Sequence, residues 1–129
     1  MSIFTKIVAG EIPSYKIAED DHFFAFLDIN PNAKGHTLVI PKKETNKLFD
    51  LEKEAYVGLM EFSYRVAEAL EKAVPCKRIG MSVIGLEVPH VHVHLIPINV
   101  MDDMRFSKKE KLSEQEFTEL ASAISSNFI

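Results

Sequence analysis

Apolar and polar residues alternate most regularly along Pro89-His90-Val91-His92-Val93-His94-Leu95-Ile96-Pro97. A period of two is that of a strand. It sends Val91, Val93 and Leu95 to a core face and His90, His92 and His94 to the opposite face. Other segments of the same period are Ile17 to Glu19, His22 to Leu27, His36 to Ile40 and Ile79 to Ile84. In the second of these, Phe24 and Phe26 share one face and Phe23, Ala25 and Leu27 the other. Asp28-Ile29-Asn30-Pro31-Asn32 is a turn by composition, and Gly35 releases the chain into the strand that Pro41 stops. Together these segments predict one hairpin with a long connection and a second, around Gly85 to Glu87, with a short one.

Helical periodicity runs from Asp50, a plausible N-cap, to about Ala73. Ala55, Leu59, Phe62, Val66, Ala69 and Ala73 form one apolar stripe, and Tyr56, Met60, Ala67 and Leu70 a second. One sheet face needs only one stripe, so the second is expected to meet another chain, with a broad core contact as the alternative. Residues 3–13 predict a short helix ended by Gly10 and Pro13. Ser113-Glu114-Gln115-Glu116 is a capping box opening a last helix with Phe117, Leu120, Ala121 and Ile124 on its apolar face. Val100 to Leu112 has no period and reads as an irregular surface segment, with the tail packed near a dimer seam or pocket mouth. The order predicts an α+β fold: an antiparallel five-stranded sheet with helices on one side, a long helix and short terminal helices.

The chain's 129 residues fit one domain with a core of its own. A net charge of −4 excludes a bulk affinity for nucleic acid or anionic lipid, so an anionic substrate needs a local site. No apolar run reaches membrane-span length, so no membrane and no nucleic-acid partner is expected. The single Cys76 allows no internal disulfide and suits a cytoplasmic setting.

Three of the five histidines therefore lie on one strand face. A metal is one use for them, since neutral imidazole is a common ligand. The outer two, however, stand about 13 Å apart on a regular strand, at roughly 3.3 Å per residue. One ion at about 2 Å from each ligand cannot bridge that span. A phosphate site, with one ring as nucleophile and its neighbours as donors, needs a row rather than a cage. The row favours phosphate, with no metal and no cofactor.

His90-Val91-His92-Val93-His94-Leu95-Ile96 resembles the histidine triad signature. Ile3-Phe4-x-Lys6-Ile7, Glu11-Ile12-Pro13, Glu19-Asp20-Asp21, Phe26-Leu27-Asp28-Ile29-Asn30-Pro31 and Gly35-His36-Thr37-Leu38-Val39-Ile40-Pro41-Lys42 are similar, in order, to the N-terminal half of its Hint branch of purine nucleotide phosphoramidases. The resemblance covers roughly residues 2–99, leaving 100–129 as a C-terminal extension with a helix at about 114–127, all in a single domain 1–129. It implies a homodimer whose sheets join into one, and hydrolysis of purine nucleoside monophosphates linked to an amine or another leaving group. His92 would be the nucleophile, oriented through the His90 carbonyl, with His94 on the phosphoryl oxygens and His36 as buttress. Asp28 would accept the ribose hydroxyls, and Phe4, Ile12, Phe26 and Ile29 would line the base pocket. A dinucleoside polyphosphate or adenylyl sulfate hydrolase, and a nucleotide-binding regulatory module, are the alternatives.

Two departures stand out. Where many bacterial relatives carry the Cys-x-x-Cys of a structural zinc site, this chain has Ser2 and Thr5, so no zinc is expected. Before the triad, Val83-Ile84-Gly85-Leu86-Glu87-Val88-Pro89 is shorter than the Hint loop and lacks its phosphate-contacting Asn. Glu87 stands on the leaving-group side, where that branch has a hydroxyl donor. A carboxylate there cannot donate unless protonated, and it would favour a cationic leaving group.

Overall fold

A computed structural model describes residues 1–129. Five antiparallel strands form one sheet: β1 (Lys16–Glu19), β2 (Phe23–Leu27), β3 (Thr37–Pro41), β4 (Arg78–Ser82) and β5 (Val93–Ile98). Their spatial order is β1-β2-β3-β5-β4. Three α-helices accompany it: α1 (Ile3–Val8), α2 (Lys53–Ala73) and α3 (Glu114–Ser125), with 3-10 turns at Leu48–Asp50 and Met101–Met104. This is the expected α+β class. No helix is long and apolar enough to cross a membrane.

Side-chain alternation divides the sheet into two faces. Ala25, Leu27, Val39, Val93 and Leu95 face α2 and α3, where Leu59, Phe62, Val66, Leu70, Phe117, Leu120 and Ile124 complete the main core. On the opposite face Phe24, Phe26, Leu38 and Ile40 form a smaller cluster with Phe4 of α1. The helices are therefore not all on one side. α1 crosses to the histidine face, because Phe4 is the apolar residue that closes it.

Three further expectations need correction, one of them in part. Asp50 does not cap α2: it lies in the 3-10 turn, Leu51 is extended, and Glu52 takes the cap position without a side-chain bond. The second stripe of α2 is taken up within the chain only in part: Leu70 is fully buried in the main core and Met60 and Ala67 pack against it, because α3 joins the sheet in covering the helix, while Tyr56, Met60 and Ala67 stay half-buried. Lastly, β5 begins only at Val93. Residues 89–92 leave the ladder because their backbone is engaged elsewhere, the Val91 N–H with the Thr45 carbonyl and the His90 N–H with the Val88 carbonyl. The β4–β5 connection is correspondingly longer than the short turn expected.

Gly35 is the hinge between the Asp28–Asn32 turn and β3. It adopts φ +99°, and a Cβ there would lie 3.1 Å from both Pro97 Cγ and Val74 Cγ2 and 3.2 Å from Leu70 Cδ1. Gly35→Ala should therefore cost about 1–3 kcal/mol of stability, read as a lowered urea midpoint. A midpoint equal to that of the native chain would contradict this packing.

Candidate active site

Each imidazole on the histidine face is given its tautomer by a neighbour whose role is fixed. The His36 ring is fully buried, and its Nδ1 accepts the Asn32 backbone N–H at 2.9 Å. An amide can only donate, so the His36 proton sits on Nε2, which donates to His94 Nδ1 at 2.9 Å. His94 must then carry its own proton on Nε2. The His92 Nδ1 lies 2.8 Å from the His90 carbonyl oxygen, which can only accept; Nδ1 is therefore protonated and Nε2 keeps a bare lone pair. His90 Nε2 donates to the Pro41 carbonyl at 2.8 Å, leaving Nδ1 to accept from the Ser2 hydroxyl at 2.6 Å. Ser2 also caps α1 by accepting the Thr5 N–H.

Burial keeps His36, His90 and His94 uncharged. Burial, then the neighbouring His94 and Lys109, holds His36 down at about 3. Burial, then His92 and Lys109, holds His94 at about 4. Burial also lowers His90, against the opposing pull of its bond to Pro41. Asp28 is pushed up from the ordinary carboxylate value by burial. Its Oδ1 accepts the Asn30 N–H at 2.8 Å in an Asx turn, and Oδ2 stands 3.6 Å from His36 Nε2.

The structure thus brings together His92, His94, His36 and Asp28, with His90 behind them. The rings of His92 and His94 lie 4.9 Å apart, and Phe4 packs edge-on to His92 at 5.0 Å and to Phe26 at 5.6 Å. Ile12 is half-buried and belongs to neither apolar cluster, while Ile29 is 73% exposed beside Asp28. Glu87 is exposed on the pre-triad loop and lines a cavity of about 370 Å³ with His92 and His94.

Several participants carried no usable sequence signal. Asn32 acts through its backbone, and Glu44 acts from a distant loop. The segment after β5 is irregular, as expected, and of the two packing places expected for the tail it takes the pocket mouth, folding against the site. Buried Asp103 accepts the Asn99 and Val100 N–H groups, and its backbone carbonyl accepts Asn32 Nδ2. That anchorage lays Phe106 against His94 at 4.8 Å and places Lys109 in the cavity wall. Lack of period hid the segment, since it is held by polar bonds rather than by an apolar stripe.

A HIT domain model matches residues 9–101. The chain belongs to the histidine triad family. It is 42% identical over 96 residues to the Saccharomyces cerevisiae adenosine 5'-monophosphoramidase HNT1, a match covering 74% of this chain and 61% of that protein. Among solved structures, a HIT-like protein of Bartonella henselae involved in cell-cycle regulation superposes with a TM-score of 0.85 at 32% identity, over 98% of this chain and 95% of that one. A zinc-bound histidine triad family protein of Mycobacterium smegmatis superposes with a TM-score of 0.83 at 27% identity, over 98% and 91%.

The residues here do not fit a zinc ion of the histidine triad kind. At the Cys-x-x-Cys positions, the Ser2 hydroxyl is engaged with His90 and the Thr5 N–H. The Thr5 hydroxyl donates to Glu44 Oε1 at 2.6 Å, and the Ser2 N–H donates to the same oxygen at 2.6 Å. Neither hydroxyl is a thiolate. Asp28, His36 and His94 are close enough to be considered as ligands. The Asn32 N–H, however, keeps the His36 lone pair on Nδ1, so Nε2 presents a proton to that space.

The depressed histidines set a pH dependence. In the unfolded chain each ring takes up a proton below about 6.5, whereas the folded chain resists until about 4 at His94 and 3 at His36. Their contribution is complete above pH 6.5 and is lost as pH falls towards 3. At pH 5 the loss reaches about 2 kcal/mol per ring at most. Urea midpoints should fall between pH 7.5 and 5 with unchanged m-value, and less steeply in His36→Asn; a flat native profile would contradict the buried neutral rings.

Proposed function

We propose that this histidine triad protein is a nucleotide-binding hydrolase that cleaves purine nucleoside phosphoramidates or other AMP-X conjugates through a nucleotidyl-histidine intermediate. The observation that carries this reading is the bare Nε2 of His92, set by the bond from its Nδ1 to the His90 carbonyl. That the yeast relative is an adenosine 5'-monophosphoramidase supports it.

The lone pair of His92 Nε2 attacks the α-phosphorus. The bond from phosphorus to the amine nitrogen breaks, its electron pair leaves with that nitrogen, and the nitrogen takes a proton from solvent. Water then attacks the same phosphorus, the Nε2–P bond breaks, its pair returns to the ring, and the water's proton passes to solvent. The Nε2–H of His94, set by the His36 relay, donates to the phosphoryl oxygens where charge accumulates. Asp28 keeps Oδ2 for the ribose hydroxyls. Phe4 and Phe26 give the base an apolar wall, with Ile12 and the exposed Ile29 completing the slot when a purine enters. Glu87 faces the leaving group at the cavity rim. The molecule works as a homodimer: β4 pairs only with β5, so its outer edge can join a second sheet, and Met81 on it is exposed.

The test is turnover of adenosine 5'-phosphoramidates by the native chain, His92→Asn and His92→Gly, with rapid acid quench and peptide mapping for a nucleotidyl adduct. Loss of roughly a thousandfold or more in both variants, and an adduct on His92 in the native chain, is expected. Turnover surviving in both variants, or an adduct elsewhere, would overturn the reading.

A further inference from the structure

The C-terminal segment places one cation in the wall of the catalytic cavity, and the geometry there is that of a built anion site. Lys109 Nζ donates to Asn32 Oδ1 at 2.8 Å and to the Asn30 carbonyl at 3.2 Å, and it lies 5.2 Å from the centre of the Phe106 ring. Both hydrogen-bond partners are neutral. Of the neighbouring lysines, Lys108 is spent on Asp103 at 2.8 Å and Lys111 does not line the cavity, whereas Lys109 lines it and has no carboxylate within ion-pair distance. An ammonium has three donors, so one remains for a ligand. The segment is pinned to the ribose-side turn a second time, by the Glu110 N–H on the Pro31 carbonyl at 2.8 Å. The cation therefore does not have to be ordered when a ligand arrives.

Position says what it is for. Between the His92 ring and this ammonium stand two other rings, His94 and Phe106, each stacked edge-on to the next at 4.9 and 4.8 Å. A phosphoryl group on His92 Nε2 is thus served by His94, and the charge of Lys109 falls on a group one unit further along the cavity they share. Glu87 lines the same cavity with the opposite charge, and both side chains reach solvent; the difference is that Glu87 makes no hydrogen bond whereas Lys109 is tied at two points. An unpaired cation held on neutral acceptors, beside rings that burial keeps uncharged, attracts an anion.

We propose that Lys109 is a specificity-determining residue, carried by the chain's own C-terminal segment, that binds negative charge on the leaving-group side of the α-phosphoryl. The substrates it selects are nucleotide conjugates whose leaving group begins with a second phosphoryl, in preference to those with an uncharged amine. This rests on the reading of the cavity as a nucleotide site. A phosphoanhydride leaves as an anion and needs no proton on departure, which agrees with the absence of a hydroxyl donor at Glu87.

Two measurements on the full chain test it. Calorimetric titration compares ADP with AMP on the native protein, Lys109→Gln, Lys109→Arg and, as a surface-charge control, Lys111→Gln. Lys109→Gln should weaken ADP about tenfold and AMP less than threefold, Lys109→Arg should recover most of the loss, and Lys111→Gln should match the native chain. Steady-state kinetics then compares a diadenosine polyphosphate with an adenosine phosphoramidate of a neutral amine. KM should rise for the former alone. Equal weakening of ADP and AMP would place Lys109 on the α-phosphoryl and overturn the proposal, as would no change in either. Because the titration needs no turnover, a catalytically inert native protein would sink the hydrolase reading while leaving the Lys109 result readable; absence of any nucleotide binding would sink both.

Discussion

Four buried imidazoles share one sheet face, and burial disfavours charge on three of them, His36, His90 and His94. Everything about the site follows from how that is managed. A buried neutral ring still has one donor and one acceptor to satisfy, and leaving either unpaired costs about 1–3 kcal/mol. Main-chain groups supply most of the answer: the Asn32 N–H, the His90 carbonyl and the Pro41 carbonyl each meet one ring nitrogen. Since a peptide N–H never accepts and a carbonyl never donates, the same bonds that prevent unsatisfied burial also decide which nitrogens keep a lone pair. Stability and nucleophilicity are here two consequences of one set of contacts.

The fold is arranged to deliver those main-chain groups. Pro41 terminates β3, and its carbonyl has no strand partner beyond it, so it is free for His90. Residues 89–92 leave the β5 ladder, which frees the His90 carbonyl for a side chain. The turn from Asp28 to Asn32 aims one amide at His36 and one carboxylate oxygen into the same space. Two covers then close the face. α1 brings Phe4 edge-on to His92 from one side, and the post-β5 segment, locked by Asp103, brings Phe106 edge-on to His94 from the other. Ser2, Thr5, Glu44 and His90 are joined by hydrogen bonds at the start of α1. The helix cap thereby serves as a support for the first triad ring.

What could be read from the chain beforehand was what repetition writes into it. The alternation along 89–97, the paired faces of His22 to Leu27 and the capping box before Phe117 each reflect a period set by a strand or a helix, and each appears in the structure near its expected place. The errors came where tertiary contacts overrode local pattern. His90 and His92 alternate as strand residues do, yet lie outside the ladder because their backbone finds other partners. Part of the second stripe of α2 goes to the main core, because α3 as well as the sheet covers that helix. The imidazoles of the candidate site were legible by type and spacing, whereas Asp28, in a turn rich in Asn and Asp, stood out only through the family resemblance. The groups that make those imidazoles work were not legible, because a backbone amide has no letter of its own. The segment bearing Phe106 and Lys109 has neither period nor motif, and only the fold shows that it reaches the cavity.

The placement of one proton decides the account. Two-bond nitrogen–proton correlations on uniformly ¹⁵N-labelled protein at neutral pH distinguish Nδ1-protonated from Nε2-protonated imidazole ring by ring. His92 should appear with its proton on Nδ1 and an unprotonated Nε2, and His36, His90 and His94 with theirs on Nε2. A His92 ring protonated on Nε2 would leave it no lone pair facing the cavity, and would contradict the account at its centre.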